Sequence, residues 1–248
     1  MSEVVSIVGA LYVGVSLLAA SLLPLALAAV AQRPGRLDLK LPVGVAIGLG
    51  VWYGLTTSVA AAGGFTSTPE HLPTILAGLL VPLAAGFAAL WLVAPLRRAL
   101  ADPRLRPMLV AMQTYRVAGV GFLLLTAAGQ VPAIFGIPAG VGDILVGLSA
   151  PGAAAAVRHG RTSRGVWWNA LGLFDLALAL TLGVATGPSV LHVAGQTTSQ
   201  ALAAFPLVMV PSFVVPLDIW LHVVSLRSLR AGPSHQRQTQ PRQQVAAA

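Results

Sequence analysis

The chain predicts an all-α, polytopic bundle of seven transmembrane helices, on three observations. Of its 248 residues, 56% are hydrophobic and only 9% charged, with a mean hydropathy of +0.82, whereas a soluble domain carries roughly 25% Asp, Glu, Lys and Arg. The apolar residues gather into seven runs, each near the ~20 residues that a helix needs to cross a hydrocarbon core. The basic residues fall almost entirely in alternate connections between those runs. With no Cys, disulfide scaffolds, thiolate metal sites and Cys nucleophiles are excluded.

The runs cover 5–31, 41–63, 73–95, 109–130, 138–157, 166–187 and 202–226. They are too long for strands and lack period-two alternation, and a backbone in lipid must bond to itself, so each is expected to be a helix. Arg33, Arg36 and Lys40 lie between spans one and two, and Arg97, Arg98, Arg104 and Arg106 between three and four. Arg158, Arg161 and Arg164 lie between five and six, and Arg227, Arg230, Arg237 and Arg242 follow span seven. The other connections hold no Lys or Arg. The positive-inside rule then predicts the N-terminus outside and the C-terminus in the cytoplasm, with the basic end attracted to anionic lipid of the cytoplasmic leaflet. Residues 1–230 read as one transmembrane helical domain. Residues 231–248, rich in Gln, Arg, Pro, Ser and Ala, read as a disordered cytoplasmic tail.

Span one ends in Leu25-Ala26-Leu27-Ala28-Ala29-Val30-Ala31, which looks like a signal-peptidase site. Its start, Met-Ser-Glu, has no basic side chain and its apolar run is longer than a usual signal core, so a retained helix is expected. Arg outnumbers Lys fourteen to one and Ala, Gly, Leu and Val dominate, a bias that points to a bacterial inner membrane. No aromatic-and-basic face suggests nucleic acid.

Spans one to three carry hydroxyls and aromatic residues such as Tyr12, Trp52 and Tyr53, for which a packing role is expected. Spans four to seven differ. Arg116 lies in span four, Asp143 in five, Asp175 in six, and Asp218 with His222 in seven, so three of the seven acidic residues sit inside the bilayer. Each costs about 2.5–3.5 kcal/mol on insertion scales and needs a partner. Counted from the basic ends, Arg116, Asp175 and Asp218 are about 13–17 Å deep, with Asp143 nearer the outer face and Asn169 and His222 nearer the cytoplasm. Helical spacing aligns each with small or polar residues: Gln113, Arg116, Gly119, Leu123, Thr126 and Gln130 in span four; Gly136, Gly140, Asp143, Gly147 and Ala150 in five; Asn169, Gly172, Asp175, Ala179 and Gly183 in six; Pro211, Asp218, His222 and Ser225 in seven. Small residues permit close helix approach, so the four stripes are expected to meet in one polar cluster, with Tyr115 beside it. Pro206, Pro211 and Pro216 are expected to kink span seven and release carbonyls near residues 207 and 212.

The candidate substrate or proton site is therefore Arg116, Asp143, Asp175, Asp218, His222, Tyr115, Gln113 and Asn169, with no catalytic residue, metal or cofactor expected. Arg116 reads as the centre for an anionic group, with Asp175 and Asp218 as counter-ions or proton carriers. The competing reading is an ion-pair network that only holds helices together. His71 and His192 lie on the outer side and read as solvated loop residues, although two such histidines could ligate haem or a metal. Trp167 and Trp168 match a cytoplasmic aromatic belt. No lysine lies within a span to carry a retinal, and no Ser/His/Asp triad, HExxH or Walker pattern exists.

Val81-Pro82, Trp91-Leu92 and Arg98 align with Val210-Pro211, Trp220-Leu221 and Arg227, a suggestion of parallel repeats that does not extend to the other spans. The stretches Tyr115-Arg116-Val117-Ala118-Gly119, Gly129-Gln130-Val131-Pro132-Ala133 and Pro138-Ala139-Gly140-Val141-Gly142-Asp143 resemble those of uncharacterised bacterial integral-membrane proteins. The resemblance covers spans four to seven best and implies no substrate. Three functions are carried forward: a small-solute or proton-coupled carrier; a structural, accessory or sensory membrane protein; and a membrane enzyme or a binder of pigment or cofactor.

Overall fold

The computed structural model describes residues 3–33, 36–66, 74–193 and 198–231. Its elements run α1 (Glu3–Ala31), β1 (Gln32–Arg33), β2 (Arg36–Leu37), α2 (Lys40–Ala61), α3 (Ile75–Leu92), α4 (Ala94–Leu100), α5 (Leu105–Met112), α6 (Val120–Ala127), α7 (Ala133–Arg158), α8 (Thr162–Ala185) and α9 (Val215–Arg230). A 3₁₀ segment, Gln113–Gly119, joins α5 to α6, and a π segment, Val210–Val214, leads into α9. Among the described residues, seven helices are long and apolar enough to cross a membrane: α1, α2, α3, Leu105–Ala127 as one unit, α7, α8 and Val210–Arg230 as one unit. His71 and the tail beyond Ala231 lie outside the described residues.

Helix ends follow local chemistry. α2, α6 and α7 each stop at a glycine with positive φ: Gly63 at 72°, Gly129 at 69° and Gly160 at 77°. At α7 the Arg161 N–H reaches the Ala156 carbonyl at 2.9 Å and the Gly160 N–H reaches Val157 at 3.0 Å. This doubly bonded reversal satisfies the last carbonyls and needs the left-handed backbone that glycine adopts freely. Pro132, extended at φ −64° and ψ 140°, precedes α7.

Some boundaries differ from expectation. α7 starts at Ala133 and not at 138, because Pro138 sits within the helix. The last crossing unit begins at Val210 and not at 202; Ser199–Ala203 forms a separate 3₁₀ turn. The α1–α2 connection, read only as a basic loop, contains an antiparallel ribbon pairing Gln32 with Leu37 and Arg33 with Arg36.

The bundle has central and peripheral helices. In the most apolar window of each unit, 72% of Val210–Arg230 and 61% of Leu105–Ala127 is buried, against 11% in α2 and in α3. Large apolar residues face outward, among them Ile47, Val51 and Leu55 on α2, Leu145 and Leu148 on α7 and Phe174 on α8, as a hydrocarbon solvent permits and water does not. Two main apolar cores lie along the bundle. One, near the basic end, joins Leu23, Leu27, Leu96, Leu105, Leu109, Phe213, Leu217 and Leu221. The other, near the opposite end, joins Val8, Tyr12, Phe122, Leu125, Phe135 and Leu207.

The interior prolines act locally. Pro216 lacks the N–H that would reach the Ser212 carbonyl four residues back. The Trp52 indole N–H, from α2, donates to that carbonyl at 3.2 Å, and the Trp52 and Tyr53 rings pack on Phe213 with centroids 4.6 and 5.3 Å apart. A broken backbone in lipid is tolerated when a neighbour re-satisfies it, and this is why the otherwise peripheral α2 docks here.

Candidate functional site

The middle of the fourth crossing unit is not α-helical, and that sets the site. From Ala111 to Val120, residues 111, 114, 117 and 120 are exposed while the two between each are buried. This is the period of a 3₁₀ helix, in which side chains three apart eclipse. The geometry puts Gln113, Arg116 and Gly119 in one buried row and Tyr115 and Ala118 in the next. Seven residues is long for 3₁₀, and such stretches within a helix mark hinges or strain.

Arg116, 3% exposed, reaches three other helices. Its Nε donates to Asp143 Oδ1 on α7 at 2.7 Å and its Nη2 pairs with the same oxygen at 2.6 Å. Nη2 also pairs with Asp175 Oδ2 on α8, and Nη1 lies 3.1 Å from His222 Nε2 on α9. Each of its nitrogens is engaged. A guanidinium can only donate, so Nε2 of His222 must be the bare nitrogen and the ring proton sits on Nδ1. Nδ1 is 2.9 Å from Asn169 Oδ1, and Asn169 Nδ2 donates onward to Gly165 O at 2.7 Å and Ser225 Oγ at 3.1 Å. The donor direction Arg116, His222, Asn169, Ser225 is thus self-consistent, fixing one tautomer and one amide orientation.

Tyr115 donates its hydroxyl to Asp218 Oδ1, so Asp218 is not a direct partner of Arg116. Gln113, 1% exposed, lies beside Asp218. One guanidinium thus faces two carboxylates, and the third is held by a phenol.

Close approach builds this cluster. A Cβ on Gly147 would lie 2.6 Å from the Val117 nitrogen and 3.0 Å from the Arg116 carbonyl carbon, so α7 presses directly on the 3₁₀ backbone. A Cβ on Gly172 would collide with the His222 ring, and one on Gly142 with the Asp175 carboxylate.

A cavity of about 120 Å³ ends on this cluster. Asp143, Tyr115, Arg116 and Asp218 line it at mid-bundle, Tyr12, Phe65, Phe122 and Phe135 form much of its wall, and Ser189, Ser199 and Gln200 of the α8–α9 connection line it toward the end away from the basic residues. The rows below Arg116, namely His222, Asn169 and Ser225, are fully or almost fully buried.

All eight candidate residues are buried or half-buried; Arg116, Asp143, Asp175, His222 and Asn169 join in one network, and Tyr115 with Asp218 forms a pair beside it. Asp143 sits in the half of α7 nearer Ala133, level with Gly119, and the Arg116 side chain reaches out to meet its carboxylate. The paired aromatic-belt assignment also needs correction. Trp167 is 77% exposed, but Trp168 is buried, donates to Ser149 Oγ at 3.0 Å and lies 5.2 Å from the His222 ring. Neighbours on a helix point about 100° apart, so only one of the pair can face lipid. Tyr12, assigned to packing, also lines the cavity, with its hydroxyl buried against α6 at Gly121. Its signal was available only as a tyrosine in an otherwise apolar span. His192 Nδ1 lies 3.0 Å from the Gly187 carbonyl, and among the described residues no three metal-ligating side chains converge.

A protein-family profile described as a domain of unknown function (DUF8737) matches residues 73–230. The chain belongs to this family. The DUF8737 region runs from just before α3 to the end of α9 and contains every charged member of the cluster; α1 and α2 precede it, although α1 contributes Tyr12 to the cavity. No curated protein and no solved structure matches the chain.

Proposed function

We propose that the chain is a multi-pass carrier of a small solute, coupled to proton movement, in a bacterial cytoplasmic membrane. The observation that supports this is the cavity that stops at mid-bundle on Asp143, Tyr115, Arg116 and Asp218. Carriers place their sites near the midplane on interrupted helices, and here a 3₁₀ segment and a π segment flank the cluster. The arginine-rich helix ends favour an inside location for the basic face, with the N-terminus outside and anionic lipid at the inner surface. In that orientation the cavity opens outward. Opening to the other side requires the Arg116–His222 and Asn169–Ser225 contacts to part, with motion absorbed at the 3₁₀ and π segments.

Arg116 acts here as an internal counter-charge, because it turns toward Asp143, Asp175 and His222 and its side chain is 1% exposed. The proton-exchanging groups are Asp143 and Asp218, which line the cavity. The test is proton flux into liposomes holding the full chain and a pH-sensitive dye, driven by an imposed membrane potential. Flux above that of empty liposomes, lost in Asp218→Asn and kept in Asp38→Asn, is the expected result. Flux no greater than in empty liposomes, or undiminished in Asp218→Asn, overturns the reading.

A second reading is favoured by one specific observation: Arg116 ties α7, α8 and α9 to the fourth crossing unit. In this reading the cluster is a clasp, and substitutions there cost stability without any flux to lose.

A further inference from the structure

We infer that the solute of this cavity is a small organic cation, an amine with an apolar body, which the carboxylates and the aromatic wall hold together. The inference rests on the cavity being a solute site. The guanidinium turns toward Asp143, Asp175 and His222, and its side chain is 1% exposed, so it offers an anion little positive surface. Acceptors remain. Both Arg116 contacts to Asp143 fall on Oδ1, no described residue donates to Oδ2, and a fifth of that side chain is accessible, 20%. Asp218 accepts from Tyr115 on Oδ1 and also lines the cavity.

The walls point the same way. Tyr12, Phe122 and Phe135 form a continuous aromatic group with successive centroids 5.5 Å apart at 47° and 85°, and Phe65 and Tyr115 extend the lining. Five of the chain's fifteen Phe, Trp and Tyr residues therefore face one small space. Aromatic faces attract cations, and an aromatic cage is the usual receptor for alkylated ammonium groups. A sugar would need many polar contacts, whereas the deep wall offers mainly carbon. The volume, about 120 Å³, is a little under the roughly 150 Å³ of an apolar protein cavity that takes benzene, so it limits the enclosed part of the ligand to a single ring at most.

The experiment uses the full chain in mild detergent, with its melting temperature followed by tryptophan fluorescence against benzylamine, benzyl alcohol and benzoate at matched ionic strength. A ligand bound to the folded state raises that temperature with concentration. Benzylamine is expected to raise it, benzyl alcohol less, and benzoate not at all. Asp218→Asn keeps an oxygen for Tyr115 but loses the charge, and should weaken benzylamine tenfold or more. Phe135→Leu keeps an apolar wall and should weaken it about three- to tenfold; if Asp218→Asn does not fold, this variant decides. Benzoate matching benzylamine, no shift with any probe, or wild-type affinity in the folded variants overturns the inference. Benzylamine binding without proton flux in liposomes removes the carrier but keeps the cation site; flux driven by benzoate and not by benzylamine does the reverse.

Discussion

Arg116 is the residue on which the interior depends, because it is one cation among three carboxylates in a medium that solvates none of them. Removing one partner of a buried ion pair costs about 3–5 kcal/mol, since the remaining charge stays buried and unpaired. Arg116→Met should lower the stability of the detergent-solubilised chain by about that amount, read from chemical denaturation. Arg116→Lys should restore only part of the loss, because an ammonium is a point charge and cannot span Asp143, Asp175 and His222 at once. Full rescue by Lys would show that charge alone matters and that the fork geometry of the guanidinium does not. That Arg116 and the aspartates were functional candidates was legible from their cost at membrane depth. Which oxygen meets which nitrogen was not, because a helical stripe specifies a face and leaves the partner on that face open. For Asp218 the fold supplies the one detail a stripe cannot, the Tyr115 hydroxyl that its Oδ1 accepts from.

The fourth crossing unit changes pitch in its middle, and the change has a packing cause. Gly147 lets α7 lie against the backbone of Arg116 and Val117, and the 3₁₀ segment keeps Gln113, Arg116 and Gly119 in register along that contact. Gly147→Ala puts a methyl against backbone that cannot swing aside, and overpacking of this kind costs about 1–3 kcal/mol. Gly152→Ala, with nothing within 4 Å of the added carbon, should be neutral or slightly stabilising, since alanine is the better helix former. Equal melting temperatures for the two variants would remove the close-approach account. Spacing in sequence already placed Gln113, Arg116 and Gly119 three apart, which is the 3₁₀ step. It was read as an α-helical stripe because three- and four-residue steps are both neighbours on an α-helix. In the last crossing unit, the carbonyl expected to be freed near residue 212 is the one that Trp52 fills; the release follows from proline chemistry, the partner from tertiary packing.

Seven crossing units form one bundle in which α1 is integral although the family match begins after it. Val8, Ser16, Leu23 and Leu27 of α1 are each 2% exposed or less, and they contribute to both main cores. Expression of residues 73–230 alone should therefore give aggregated or protease-sensitive protein, and co-expression of residues 1–72 should recover it. A stable, monodisperse 73–230 fragment would show that α1 is dispensable. The absence of cysteine makes orientation directly testable. A membrane-impermeant maleimide on intact cells should label Thr66→Cys and spare Arg161→Cys, and the opposite pattern would invert the proposed topology.

The sequence by itself determined the fold class, the seven crossing helices and the four charges that the bilayer penalises, because length, hydropathy and burial cost are additive properties of single residues and short windows. Helix ends were legible where glycine or proline chemistry acts within a turn. Only the tertiary structure decided that Arg116 meets Asp143, Asp175 and His222, that His222 carries its proton on Nδ1, that Trp168 turns inward, and that Tyr12, Phe122 and Phe135 share one cavity with Asp143 and Asp218. Those outcomes depend on which of several equivalent faces meet and at what distance. Hydrogen bonds and ring contacts vary over a few tenths of an ångström, a scale set by packing among distant segments and absent from any local pattern.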